Sequence, residues 1–142
     1  MSGKTIAEIN VGDKADFTKT ISEGDVYNFA GVTGDMNPMH INEEYAKKTF
    51  FKKRIAHGML SAGFISQVLG NSLPGNGAVY MKQSCTFLKP VYFGDTITAI
   101  AEAIKVDNEK NRVTLRTYCV NQNGDVVLDG EALMSPMKKK KG

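Results

Sequence analysis

The run GMLSAGFISQVL, from Gly58 to Leu69, limits what this chain can become. Its apolar residues fall on most faces of a helix, with small Ser, Ala and Gly between them, and a helix apolar nearly all round has to be buried. Gly70, Asn71, Pro74, Gly75 and Gly77 then break the helical pattern. Beyond them the chain reads as strands. Val79, Met81, Gln83, Cys85 and Phe87 alternate with Tyr80, Lys82, Ser84, Thr86 and Leu88 as far as Lys89-Pro90, and three more runs span Asp95 to Val106, Arg112 to Val120 and Val126 to Met134. In the middle one, Val113, Leu115, Thr117 and Cys119 share a face. The linkers Asp107-Asn108-Glu109-Lys110-Asn111 and Gln122-Asn123-Gly124 are short polar turns, so the last three strands are expected to form an antiparallel meander. One buried helix followed by four long strands is covered only if the sheet curls around it. This predicts an α+β fold with a long antiparallel sheet wrapped around a central helix, not a doubly wound one. Such a sheet leaves an edge that a second copy can pair, so a homodimer, or a larger assembly built from dimers, is expected.

Upstream of the helix, Thr18 to Ile21 reads as a short strand. Ser22 with Asp25 three residues on resembles a capping box, and Val26, Phe29 and Ala30 follow at helical spacing, with a stop expected near Gly31 or Gly34. Glu43 to Thr49 is a second short helix after the turn at Asn37-Pro38. With no repeat and no low-complexity linker, residues 1–137 read as one domain and 138–142 as a basic, disordered tail.

The net charge of +3 is an effect of that tail. Without Lys138, Lys139, Lys140 and Lys141, 14 basic residues face 15 acidic ones, and a near-neutral body has no basic stripe to follow a nucleic-acid backbone. Cys85 and Cys119 stand far apart in alternating apolar stretches, as small buried thiols do. There is no apolar leader behind Met1 and no run long enough to span a bilayer, so the expected compartment is the reducing cytoplasm.

Both histidines, His40 and His57, fall in one window, each beside a break in the helical pattern. In GDMNPMH, Asp35 and His40 are five residues apart, and Pro38 forbids a helix running through while holding Asn37 extended or in a turn. A turn there can aim both side chains at one water, which is the equipment of general acid-base catalysis. Equally, Asp35 can cap its own turn while His40 only opens the next segment. His57-Gly58 enters the buried helix, whose first amides have no partner within it and whose end carries positive charge. The Gly58 amide can therefore hold an oxygen acquiring negative charge, or Gly58 can simply allow the chain to turn. Ser61 and Ser66, inside the helix, are of the kind that bond back to a carbonyl one turn earlier, and neither sits in a nucleophile motif. Asp35, His40 and His57 match no metal-ligand spacing, so no metal is expected.

The segment FAGVTGDMNPMHINEEYAKKTFFKKRIAHGMLSAGFISQVL, with SCTFLKPVYFGDTITA after it, closely resembles the signature of the MaoC-like (R)-specific enoyl-CoA hydratases. The resemblance runs from about Ser22 to the last strand. It implies a hot-dog fold and at least a dimer, with Asp35 and His40 of the D-x-N-P-x-H motif as the catalytic pair. It makes the amide of Gly58 the binder of the thioester oxygen and Ser66, rather than Ser61, a polar support for Asp35 or the water. Asn37 and His57 belong to the motif as structural neighbours of the site.

The implied reaction is reversible hydration of a trans-2-enoyl thioester of coenzyme A to the (R)-3-hydroxyacyl thioester. It asks for no cofactor, because the thioester itself activates the β carbon. Lys52, Lys53, Arg54, Lys82 and Lys89 are candidates by charge for the coenzyme A phosphates. Two rivals share the fold: an acyl-CoA thioesterase and a non-catalytic acyl-thioester binding module. The intact Asp35 and His40 speak against both.

Overall fold

A computed structural model describes residues 3–139 of the chain. After a single 3-10 turn at Ile6–Glu8 the elements are β1 (Lys14–Thr20), α1 (Glu23–Thr33), α2 (Pro38–Ile41), α3 (Glu43–Lys47), α4 (Gly58–Asn71), β2 (Val79–Gln83), β3 (Thr86–Phe87), β4 (Thr96–Asp107), β5 (Arg112–Val120) and β6 (Val126–Ser135). One antiparallel sheet holds all six strands in the order β1-β4-β5-β6-β2, with β3 also on β6. The last three strands form the expected meander. No helix of the described residues is long and apolar enough to cross a membrane.

The sheet lies against α4, which packs on β1, β4, β5 and β6. Ile65, Val68 and Leu69 of the helix are almost fully buried, and they meet Ile97, Ala99 and Ala101 of β4 and Val113, Leu115 and Cys119 of β5 in one core. Burying each of the large aliphatic side chains is worth about 2 kcal/mol. The small residues of β4 let the helix approach the sheet closely.

Several local expectations hold on physical grounds. Ser22 Oγ accepts the Asp25 amide at 3.1 Å while the Asp25 carboxylate accepts the Ser22 amide at 3.0 Å, so Asp completes the capping box in place of Glu. Gly34, at φ 80°, ends α1 in the left-handed conformation that a glycine tolerates. Val113, Leu115, Thr117 and Cys119 do share the buried face of β5.

Other expectations need correction. The first strand runs Lys14–Thr20 instead of Thr18–Ile21, and its alternation is hidden because the inward row is only Ala15 and Phe17 followed by Lys19. Pro38 does not merely interrupt a helix. It opens one, since the first helical position needs no amide hydrogen, and Asn37 caps it by accepting the Met39 amide at 3.1 Å. The run from Val79 to Leu88 is two strands, β2 and β3, separated at Ser84-Cys85. There the chain crosses Gly130 of β6 so closely that a Cβ on Gly130 would lie 1.8 Å from the Ser84 carbonyl oxygen. Val79, Met81 and Phe87 are exposed instead of facing the core, and Cys85 is only half-buried while Cys119 is buried. Met137 pairs with Thr5 in a parallel bridge; the end of the expected tail, from residue 140, lies outside the described residues.

Gly130→Ala is therefore expected to destabilise the fold by about 3 kcal/mol, the upper end of overpacking costs, because the obstructing atom is backbone. Urea denaturation checks this, and an unchanged midpoint would contradict the close crossing.

Candidate active site

The loop between α1 and α2 and the entrance to α4 converge on one point. Thr33 Oγ1 accepts the Asp35 amide at 3.1 Å, and Asp35 Oδ1 accepts the Asn37 amide at 3.2 Å. Asp35 thus does cap its own turn, using one of its two carboxylate oxygens. His57 Nε2 lies 3.0 Å from the Asp35 carbonyl oxygen, which can only accept, so that nitrogen carries hydrogen and ties the loop to the start of α4. The ring is held between Phe29, at a centroid distance of 4.7 Å, and His40, stacked at 3.8 Å.

His40 is buried at the end of the short helix that Pro38 opens. Its Nδ1 is 2.7 Å from the Ile55 carbonyl oxygen, so Nδ1 is the protonated nitrogen and Nε2 of the neutral ring keeps a lone pair. Burial, the largest influence, holds the His40 pKa below its ordinary 6.5; the nearby His57 pushes the same way, against the Ile55 carbonyl and Asp35. Ligating atoms of Asp35, His40 and His57 all lie within 4.8 Å of one another. The turn and acid-base readings of Asp35 are therefore compatible: the turn is what presents the exposed carboxylate beside the buried imidazole.

A cavity of about 460 Å³ opens here. His40, Gly58 and Ser61 line it together with apolar residues including Ile55, Val91, Val127 and Leu128. At its rim α4 begins without a side-chain cap, because the His57 ring is turned to Asp35, so the first amides of the helix, with that of Gly58 among them, have no side-chain acceptor. A Cβ on Gly58 would come within 2.6 Å of the Phe87 ring, so glycine is what lets that ring pack against the start of the helix. The cavity thus brings together a neutral imidazole, with a carboxylate beside it, and the positive end of a helix.

A family model described as the MaoC like domain matches residues 7–123. The chain belongs to that family. An (R)-specific enoyl-CoA hydratase of Rhodospirillum rubrum is 55% identical over 125 residues, which cover 88% of this chain and 86% of the relative. A 3-hydroxybutyryl-CoA dehydratase of Methylorubrum extorquens is 45% identical over 132 residues, covering 93% and 83%. Among solved structures, an unliganded R-hydratase from Pseudomonas aeruginosa matches with a TM-score of 0.91 at 42% identity, over 96% of this chain and 88% of that one. The architecture shared with these R-hydratases is the hot-dog fold.

Not every expected residue reaches the site of this MaoC-like chain. Ser66 stands on an exposed face of α4 and does not line the cavity. Ser61 does line it and is buried. Five residues of helix turn the side chain by about 140°, so the two serines cannot share a face. Of the five cationic candidates, Lys89 lines the cavity, paired with Asp125 at 3.4 Å. Arg54 is engaged elsewhere. It holds Glu23 at 2.9 Å, Glu43 at 2.8 Å and the Tyr27 hydroxyl at 2.6 Å, and lies over the Phe93 ring, clamping α1 and α3 to the segment that leads into α4. Lys53 sits over the Tyr92 ring, and Lys82 lies on β2, away from the cavity. The Ile55 carbonyl could not have been found from sequence, because a backbone acceptor has no residue signature.

The lowered His40 pKa gives stability a definite pH dependence. As pH falls through about 6.5 the unfolded chain takes up a proton here that the folded chain resists, so stability drops with falling pH until the folded pKa is reached. Urea midpoints between pH 7.5 and 5 are expected to decline, and His40→Asn to remove part of that slope. An identical slope in the variant would contradict the assignment.

Proposed function

We propose that this chain catalyses the reversible (R)-specific hydration of trans-2-enoyl-CoA thioesters, with Asp35 and His40 as the catalytic pair. The observation that carries this reading is the locked imidazole of His40, with the Asp35 carboxylate beside it, in a cavity that Gly58 also lines at the uncapped end of α4. The names of the hydratase and dehydratase relatives support it.

In this mechanism a water held between Asp35 and His40 gives up a proton as its oxygen bonds to the β carbon. The displaced electron pair moves through the α carbon onto the thioester oxygen, where the Gly58 amide and the helix end stabilise it. The enolate then collapses as the α carbon receives a proton from the same pair, so one water is added and the two groups arrive on one face. Neutral His40 suits the role, since a base has to be unprotonated at the working pH. Asn37 and His57 act by shape: one caps the short helix under His40 and the other anchors the Asp35 loop. The thioester supplies the activation, so the mechanism needs neither cofactor nor metal.

The same reading makes the enzyme a cytoplasmic homodimer. The support for the dimer is β2, which forms an end of the sheet with Val79, Tyr80 and Met81 exposed. A second copy pairing there would cover both the free strand edge and this apolar surface. Residues 1–137 form the catalytic domain in this proposal, and the basic end contributes nothing to chemistry.

Incubation with crotonyl-CoA tests the activity: enoyl-thioester absorbance is expected to disappear without thiol release, giving (R)-3-hydroxybutyryl-CoA by chiral analysis. Thiol release in place of hydration would make the protein a thioesterase. Asp35→Asn, whose amide oxygen can still accept the Asn37 amide, and His40→Ala are each expected to stay folded and lose about 10²- to 10⁴-fold in turnover. Wild-type turnover in either would exclude the mechanism. Gel filtration is expected to give a dimer, shifted toward monomer by Met81→Asp.

A further inference from the structure

Asp35 and His40 sit in the stretch between α1 and α3, so their separation depends on how those two helices are held. One side chain reaches both. Each guanidinium nitrogen of Arg54 has its own partner: Nη2 donates to Glu23 at 2.9 Å and Nη1 to the Tyr27 hydroxyl at 2.6 Å, both on α1, and Nε donates at 2.8 Å to Glu43, the first residue of α3. The Arg54 side chain is 16% exposed, against 55% and 44% for the two carboxylates, so the arginine is the fixed centre of this network and the carboxylates are its outer arms. In the chain it immediately precedes Ile55, whose amide donates to the Met39 carbonyl at 3.2 Å and whose carbonyl accepts His40 Nδ1 at 2.7 Å. The main chain here grips α2, while the Arg54 side chain grips the helices on either side of it. Arg54 does not line the cavity, so whatever it does for the reaction it does through these groups.

We infer that Arg54 is a positioning residue for hydration: its fork fixes α1 and α3 around α2 and so holds Asp35 and His40 at the separation that two groups sharing one water require. The inference rests on the hydratase reading. A lysine would keep the charge but not the role, because a single ammonium has no planar fork to meet partners from two helices and the Phe93 ring at once. With the fork gone, α2 can shift against Ile55, the His40 Nδ1 bond weakens, and Nε2 is no longer aimed steadily at the water. Misplacement of this kind costs turnover and spares binding.

The test compares the wild type, Arg54→Lys, Glu43→Ala and the double variant. With crotonyl-CoA, Arg54→Lys is expected to lower kcat about 10- to 100-fold with KM nearly unchanged. Glu43→Ala cuts the same tie, so its own loss of kcat is expected to vanish in the Arg54→Lys background, whereas independent effects would multiply. Nitrogen-15 spectra of the histidine rings add a readout that needs no activity. The chain has two histidines, and in the wild type His40 is protonated at Nδ1 and His57 at Nε2, so the two rings give different patterns. In folded Arg54→Lys the His40 pattern is expected to lose its pure Nδ1–H character; a residue that merely stabilised the fold would leave it intact. A wild-type kcat in Arg54→Lys overturns the inference, as does a loss carried by KM, a multiplicative double variant or an unaltered His40 pattern. A wild type that leaves crotonyl-CoA unchanged overturns the hydratase reading; an altered His40 pattern in Arg54→Lys would then still uphold the positioning of the ring, and an unaltered one would overturn that too.

Discussion

The fold depends on burying one helix. α4 buries Ser61, Ala62, Phe64, Ile65, Val68 and Leu69 against β1, β4, β5 and β6 while Met59, Gly63, Ser66 and Gly70 stay exposed, and most of the described core is the contact between that buried face and the sheet. The covering is also what makes the helix useful. A sheet that shields the length of α4 leaves its first turn at the rim, so the unpaired amides and the positive end of the helix point to a place where a ligand can arrive. Burial and electrostatics are two consequences of a single packing decision.

The candidate catalytic groups are held by backbone to a degree that their short connections would not suggest. Carbonyl oxygens from Ile55 and Asp35 choose which nitrogen of each histidine is protonated, and the stacked rings of His40 and His57 lock the α1–α2 loop to the start of α4. Arg54 adds an outer clamp by joining α1 and α3 through Glu23, Tyr27 and Glu43. Its two carboxylate partners are well exposed, so each pair alone is worth little; joined to the Tyr27 bond and the stacking on Phe93, they hold four pieces of chain in register. The neutral His40 is a product of the same arrangement, since burial against these elements is what disfavours the imidazolium.

How much is legible in the sequence varies with the kind of signal. The meander of β4, β5 and β6 and the buried face of β5 come from alternation with polar turns between, because there one side of the strand packs on α4 and the other meets solvent. Alternation misleads at β2 and β3. That run is period two in sequence, but its apolar residues lie on an exposed edge, and its break at Ser84-Cys85 is imposed by a crossing over Gly130, a neighbour far away in the chain. The capping box at Ser22 is readable because its partners are three residues apart; the role of Pro38 is not, because a proline both stops a helix arriving from upstream and suits the first position of a new one, and the four-residue helix it opens is too short to show a pattern.

Asp35, His40 and Gly58 could be named from the sequence as candidates, since the spacing, the proline and the resemblance to the MaoC-like hydratases all concern residues near one another in the chain. Sequence also settled the fold class, because an all-round apolar helix followed by amphipathic strands has few ways to hide from water. The tertiary structure alone decided which serine lines the cavity, which histidine nitrogen is protonated, that Arg54 is a clamp and that Lys89 stands at the cavity. Those outcomes depend on the rotation of α4 against the sheet and on backbone carbonyls brought from distant segments. A sequence pattern records the type and spacing of side chains, whereas these choices are made by where the rest of the chain has been packed.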